Sequence, residues 1–371
     1  MRVHTTPKML FVTAGLVLLS AAGAAAIPAP VSSPMSGDPP AVNVFHEKLG
    51  NISCYRIPSI VQTAKGFLVA FAEARVGSCG DGSVHSIAVR RSQDNGATWG
   101  NVSFVKGPGG SMVGNPTAIY TKSGKIVLIY VLHSAKCEAD CGTGNGVSVS
   151  SDDGLTWAAP LDVSKSWGAA SGSLPGPGNG VQTTTGRLLV AAHHSAYVHD
   201  FVIYSDDDGQ SWTPIAQTFA RMDEATMTQL VNGTVVVNMR YQGSKKTGRG
   251  IALSNDNGAT FGPIKYDKAL ISPVCQASLV TFDGATYFSN PESTSGRNHI
   301  GIRRSTDNMA SWGSKSFMVE TGSSAGYSCL VAGALKGSSV QQRDGAATEG
   351  GILFESLGSG NIAFAKFPTV F

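Results

Sequence analysis

The sequence predicts an all-β protein, a closed six-bladed β-propeller with Asp-box turns, and three observations lead there. An eight-residue pattern, Ser-x-Asp-x-Gly-x-Thr-Trp, occurs five times; its spacing is nearly constant; and short apolar runs fill the intervals. The copies begin at Ser92 (SQDNGATW), Ser150 (SSDDGLTW), Ser205 (SDDDGQSW), Ser254 (SNDNGATF) and Ser305 (STDNMASW). Successive starts lie 58, 55, 49 and 51 residues apart, a period at which one repeat makes one four-stranded blade.

The octamer explains itself as a folding device. Its Ser and Asp side chains bond nearby backbone N–H groups, Gly or Asn supplies a positive φ, and Trp or Phe re-enters the apolar layer. None of Asp94, Asp152, Asp207, Asp256 or Asp307 is therefore assigned to catalysis. Met309 replaces the Gly of the fifth copy, so Asn308 is expected to be the left-handed residue there.

Strands lead into each octamer in order. YRIPSIVQT, GFLVAFAEA and VHSIAVRRS precede the first, and TAIYT, KIVLIYVLH and GVSVSS the second. GVQTTT, RLLVAAHHS and DFVIYSD precede the third, MTQLVN, TVVVNMRY and GIALSN the fourth, and CQASLVTF, ATYFSNP and HIGIRRST the fifth. SFMVE, YSCLVAGAL, GGILFES and NIAFAKF remain, which makes six blades. The last is expected to close with the segment near Asn43 to Glu47, leaving no open sheet edge.

Composition agrees with this class. The 371 residues include 45 Gly and only 14% charged residues, with a net charge of +3. No basic run or Lys/Arg-rich helix suggests a nucleic-acid partner. At the N-terminus, Arg2 and Lys8 precede an apolar stretch from Met9 to Leu19, too short to span a bilayer comfortably, and Ala24-Ala25-Ala26 offers a cleavage site. Residues 1–26 are thus expected to be a signal peptide, residues 27–41 a disordered Pro-rich leader, and residues 42–371 the propeller. The mature chain is expected to be exported or to enter an endomembrane compartment such as the lysosome, to have no membrane span and to be a monomer. Sequons at Asn51, Asn101 and Asn232 fit that route. Of the six Cys, Cys137 and Cys141 are close enough to staple one loop, Cys54 and Cys79 form a second candidate pair, and Cys275 and Cys329 are either bonded or buried thiols. No Cys/His spacing resembles a metal site, and no cofactor is expected.

Outside the octamers, the motif YRIP (Tyr55-Arg56-Ile57-Pro58), followed by five octamers in order, resembles the sialidase (neuraminidase) family from about Tyr55 to Phe367. The resemblance implies three arginines that hold the carboxylate of a terminal sialic acid: Arg56, Arg240 in VVVNMR and Arg297 in SGRNHIGIR. Planar guanidinium forks match a carboxylate bidentately, so the chemistry asks for such a cluster. Arg303 and Arg304 compete for the third position but precede an octamer as Arg90 and Arg91 do, and are read as scaffold.

The same resemblance implies Tyr327, in SAGYSCL, as nucleophile and Glu224, in RMDEATMTQL, as the carboxylate that takes its proton. A neutral phenol avoids the repulsion a carboxylate nucleophile would meet at an anionic sugar. Asp81, in SCGDGSVH, falls where the family carries its acid/base loop, with Glu73 and His85 as alternatives. Burial away from positive charge is expected to raise the Asp81 pKa, and its Gly neighbours to let the loop close unless a Cys54–Cys79 bond stiffens it. Glu355, in GILFES, matches a Glu that braces the first arginine. GPGNGVQ (176–182) and GNPT (114–117) resemble stretches that line the pocket; His193 and His194 read equally well as structural.

The implied function is a retaining exo-α-sialidase acting on glycoproteins, oligosaccharides or glycolipids such as gangliosides through a Tyr-linked intermediate. A trans-sialidase or a KDN-preferring sialidase would share every residue named. A non-catalytic sialic-acid-binding propeller would keep the arginines and lose Tyr327, Glu224 or Asp81.

Overall fold

The structure, a computed structural model, describes Met1 and residues 40–133, 142–194, 198–243, 248–322, 326–332, 349–356 and 360–371. Residues 2–39 and the Cys137/Cys141 pair lie outside the described residues. From residue 40 onward the described chain forms six sheets, antiparallel except for one short parallel pair.

The first blade comprises Cys54–Gln62, Leu68–Val76, Val84–Ser92 and Ser103–Val105, hydrogen-bonded in that order. Blades two to five repeat the arrangement. Their first strands are Met112–Tyr120, the short pieces Leu174–Pro175 and Val181–Gln182, Met222–Gln229 and Ser278–Phe282. In the sixth, Ser328–Val331, Glu349–Glu355 and Ile362–Pro368 are completed by Ala41–Phe45, which pairs with the last strand. The N-terminal strand thus closes the ring at Ala41–Phe45, slightly earlier than Asn43 to Glu47.

Six hydrophobic clusters lie between the six pairs of neighbouring blades. Phe45 and Phe364 of the sixth pack against Tyr55, Leu68 and Ala88 of the first; Val113 and Leu128 of the second face Val69 and Phe71 of the first. The others join the second to the third, third to fourth, fourth to fifth and fifth to sixth blades. Alternation along each strand gives a blade two apolar faces, and burying both against neighbours is what makes the ring stable.

Every octamer forms the same turn. In the first, Gly96 N donates to Ser92 Oγ (2.8 Å), Thr98 N to Asp94 Oδ1 (2.8 Å) and Thr98 Oγ1 to Asp94 Oδ2 (2.5 Å). The pattern recurs at Asp152, Asp207, Asp256 and Asp307. Two consecutive residues take positive φ in each copy, Asn95 and Gly96 in the first. The fifth copy departs from expectation: Met309 (φ 65°) is left-handed as well as Asn308 (φ 56°). A non-Gly residue there costs about 1–2 kcal/mol, and Met309 offsets it by packing on the cluster of Val236, Leu279 and Phe288.

The octamers sit after the third strand of each of the first five blades. First-strand starts and second-strand ends therefore share the opposite face of the ring, because adjacent strands are antiparallel. Segment 176–182 ties the centre together. Gly178–Asn179 pairs in parallel with Thr117–Ala118, Ser59 Oγ donates to Gly178 O (2.7 Å), Gln276 Nε2 to Pro177 O (3.2 Å) and Asn179 Nδ2 to Leu330 O (2.9 Å). This segment links blades one, two, five and six across the axis.

Two outcomes test this account. A Cβ on Gly96 (φ 84°) would lie 2.2 Å from Phe364, so Gly96→Ala should lower unfolding free energy by about 1–3 kcal/mol in urea titrations; an unchanged midpoint would contradict the ring-closing contact. The octamer hydrogen bonds outweigh the burial that alone would raise Asp152 and hold it at about 2, against an ordinary 3.8; they likewise bring Asp256 and Asp307 to about 2. Depressed carboxylates contribute stability that is complete above the unfolded value and lost as pH falls through the folded one. Circular dichroism should therefore show folded protein at pH 5 and a steep acid transition between about pH 4 and 2; a transition centred above pH 5 would exclude the octamers as its cause.

Candidate active site

At the face opposite the octamers, strand irregularities aim polar side chains inward. Register shifts interrupt the first strands between Arg56 and Ser59, Gly114 and Thr117, and Asp223 and Ala225. Such bulges redirect side chains that a regular pleat would alternate. Ile57 takes φ 60° while buried, a strained state for a β-branched residue that persists only where surroundings hold it.

What holds it is Glu355. One carboxylate oxygen accepts from Arg56 Nε (2.6 Å) and Ile57 N (3.1 Å), and the other from Tyr327 N (3.0 Å). Glu355 thus locks Arg56, the strained turn and the backbone of Tyr327 together. Tyr327 is buried with Ile57 and Cys275. Its hydroxyl donates to Glu224 Oε1, and the guanidiniums of Arg56 and Arg297 lie 5.6 and 5.5 Å from its ring centroid. Arg240 Nη1 donates to the other oxygen of Glu224 (2.6 Å). All of Arg56, Arg240, Arg297, Tyr327, Glu224 and Glu355 therefore converge.

The arginines are not equivalent. Arg56 and Arg240 are backed by carboxylates, whereas Arg297, in the loop before Ile300–Ser305, makes no ion pair among the described residues and contacts Val274 O at 3.5 Å. Burial, with the Glu224 charge, pushes the Tyr327 phenol well above its ordinary pKa, Arg240 and Arg297 opposing. At rest the Tyr327 phenol is neutral and donates to Glu224.

Asp81 lies in the turn between Leu68–Val76 and Val84–Ser92, and its surroundings differ from expectation. Its side chain is 67% exposed and pairs with Arg75 Nη1 (2.7 Å), so it is neither buried nor removed from positive charge. The turn is anchored, since Cys54 and Cys79 form a disulfide (Cα–Cα 5.3 Å) and Arg75 Nη1 also donates to Cys79 O (2.6 Å). Glu73 is unsuited to proton donation. Its burial would raise the pKa, but Arg75, His85 and the Asn115 amide together hold it at about 2. His85 lines the same cleft, stacked edge-on against His133; burial and His85 bring His133 down to about 4. Cys275 and Cys329 are buried thiols, both pushed up to about 12 by burial.

Arg75 was not singled out from sequence, although it is buried in the cleft beside Asp81. Its signal was present: Glu73 and Arg75 are two charges on one face of an otherwise apolar strand, LVAFAEARV, where an isolated charge is rare but a pair is tolerated. His193 lies 3.4 Å from Asp223, within the polar layer behind Glu224.

A family model described as BNR repeat-like domain matches residues 66–335. The chain is 28% identical over 329 residues to a sialidase of Bacteroides fragilis, covering 78% of this chain and 60% of the relative, and 29% identical over 300 residues to a sialidase of Micromonospora viridifaciens, covering 70% and 45%. It thus spans about half the length of these curated relatives. Among solved structures, the Hadza microbial sialidase Hz136 matches with a TM-score of 0.76 at 26% identity, over 88% of this chain and 68% of that one. The intramolecular trans-sialidase from Ruminococcus gnavus matches at 0.70 and 17% identity over 88% and 96%, a likeness of fold alone.

Glu355 provides a direct test of how the cluster is held. Glu355→Gln keeps the shape and removes the charge that faces Arg56. Hydrogen bonds to charged groups contribute about 1.5–3 kcal/mol, so urea unfolding should show a loss of that order; equal stability would mean Glu355 does not brace the cluster.

Proposed function

Because the chain belongs to the BNR repeat-like domain family and gathers three guanidiniums round a buried phenol, we propose that it is a retaining exo-α-sialidase. One observation carries the reading: Tyr327 donates its hydroxyl to Glu224 while Arg56 and Arg297 flank its ring. A phenol so placed can lose its proton to Glu224 as its oxygen attacks a carbon that bears a carboxylate.

In this mechanism the Nη groups of Arg56, which make no hydrogen bond among the described residues, bind the substrate carboxylate together with Arg240 and Arg297 and place the anomeric carbon over Tyr327. Asp81 gives a proton to the glycosidic oxygen as the bond to the aglycone breaks, and the Tyr327 oxygen bonds to the anomeric carbon from the opposite face. Glu224 receives the phenolic proton at that moment, which matters because a free phenolate is strongly disfavoured in this site. Water then attacks, Asp81 takes its proton, the Tyr–carbon bond breaks and Glu224 returns the proton. Two inversions give retention. Asp81 lies at the solvent side beside Arg75, where a leaving aglycone would depart. Substrates are terminal sialic acids on glycoproteins, oligosaccharides or glycolipids, and the site is read as lying on an exported or endomembrane protein acting as a monomer.

Release of a fluorescent aglycone from an α-sialoside tests the reading. Tyr327→Phe should lower kcat about a thousandfold or more, on the scale of losing a covalent nucleophile, and proton NMR should find the α-anomer as first product. Wild-type turnover by the variant would remove Tyr327 from the reaction. Asp81→Ala should cripple cleavage of a natural glycosidic leaving group and largely spare a phenolic one, which needs little protonation. Excess lactose separates transfer from hydrolysis: sialyl-lactose outpacing free sialic acid would make the chain a trans-sialidase with the same residues.

A further inference from the structure

We propose that Asp223 is a positioning residue for this reaction, holding the guanidinium of Arg240 so that one edge of its fork is turned to the substrate carboxylate. The inference rests on the sialidase reading above.

Asp223 and Glu224 are consecutive, and in a regular strand their side chains would point to opposite faces. The register shift between Asp223 and Ala225 breaks that alternation, and both carboxylates reach the same arginine. Arg240 Nη1 donates to Glu224 Oε2 (2.6 Å), and Arg240 Nε lies 3.1 Å from Asp223 Oδ2. The Nε–H points off that oxygen, so the second contact is an attraction between charges more than a directed hydrogen bond. Held at two points, the fork cannot rotate. Nη2 makes no hydrogen bond among the described residues and is the group left for a ligand.

Asp223 is fully buried between donors and other carboxyls: the Glu224 amide (2.7 Å) and Gln242 Nε2 donate to it, Arg240 faces it and His193 Nε2 lies at 3.4 Å. Burial and the neighbouring Glu224 charge push its pKa above the ordinary value, with His193 and Arg240 opposing. Asp200, its fully buried neighbour behind, has no hydrogen-bond partner on either oxygen among the described residues; burial, then the charge of Asp223, raises its pKa well above the ordinary value. The carboxyls that touch Arg240 are those of Asp223 and Glu224, with Asp200 set behind them.

Because Arg240 binds the carboxylate alike in the ground state and the transition state, a loosened Arg240 raises KM and leaves kcat nearly alone. Asp223→Asn keeps the volume and removes the charge. Purified variant and wild type, both folded by circular dichroism, are assayed on a fluorescent α-sialoside. A KM raised about tenfold to a hundredfold with kcat within about threefold of wild type is expected, the range for losing a charged contact. An unchanged KM overturns the inference, and so does a fall in kcat at constant KM, which would route Asp223 through Glu224 and proton transfer. An inactive wild type sinks the sialidase reading and this inference with it, whereas an active wild type and an unaltered variant sink the inference alone. If Asp223→Asn yields no folded protein, Gln242→Met removes the donor that steadies Asp223 from the part-exposed side; a KM rise of about threefold is expected, and a wild-type KM overturns the proposal.

Discussion

Positive charge can be gathered beside a buried phenol only if each buried guanidinium has an anion behind it, and the architecture of this face follows from that condition. Arg56 leans on Glu355, Arg240 on Asp223 and Glu224, and Arg75 on Glu73 and Asp81. An unpaired buried cation would cost several kcal/mol, so the carboxylates are as necessary as the arginines. Arg249 is the exception: fully buried with no carboxylate contact among the described residues, it is satisfied by Asn238 Oδ1 and the Cys275 carbonyl, and burial and Arg240 bring it down to about 10. It supports the fourth blade from inside, tied to the backbone of Cys275 and Glu224.

A propeller meets this condition readily because it separates two tasks on two faces. The octamer turns satisfy their own hydrogen bonds locally and need nothing from the opposite end, so the cleft can accumulate strain and uncompensated geometry without unravelling the blades. Ile57 illustrates the exchange. Its left-handed backbone is held because Glu355, already needed by Arg56, also accepts its amide. The same carboxylate then receives the amide of Tyr327, so the first and sixth blades, which meet where the ring closes, are joined again at the cleft.

Much of this was legible in the sequence, for physical reasons that differ from residue to residue. The octamers could be read because their chemistry is local: Ser, Asp, Gly and Trp each act within eight residues. Arg56, Glu224 and Tyr327 could be read only through the resemblance carried by YRIP and the repeats, since their meeting depends on blade order. Arg75, Asp223 and the burial state of Asp81 were hidden because each depends on a contact across strands or on a bulge. A one-residue register shift decides whether Asp223 faces Arg240 or the interblade core, and no propensity signals it. The central ties of segment 176–182 were hidden for a related reason: Gly and Pro announce a loop but not whether it runs over the rim or crosses the axis. The Cys54–Cys79 pair was one open possibility until the antiparallel register set Cys54 opposite Arg75, four residues before Cys79.

The unequal bracing of the arginines carries the last step. Arg56 and Arg240 are fixed at two blades by buried carboxylates, while Arg297 comes from a loop and is fixed by little beyond a long contact to a carbonyl. If all three were rigid, any error in blade spacing would misfit a carboxylate by a fraction of an ångström, and bidentate recognition tolerates little of that. On the proposed reading, two held forks would define the position of a substrate carboxylate and the third would adjust to it. Asp81 divides its turn in the same manner. The disulfide and Arg75 anchor the turn, while the Asp81 side chain stays exposed at its tip. Rigidity is thus placed where charge is buried and freedom where it meets water, because only at the solvent edge can a group move without leaving a desolvated charge unpaired.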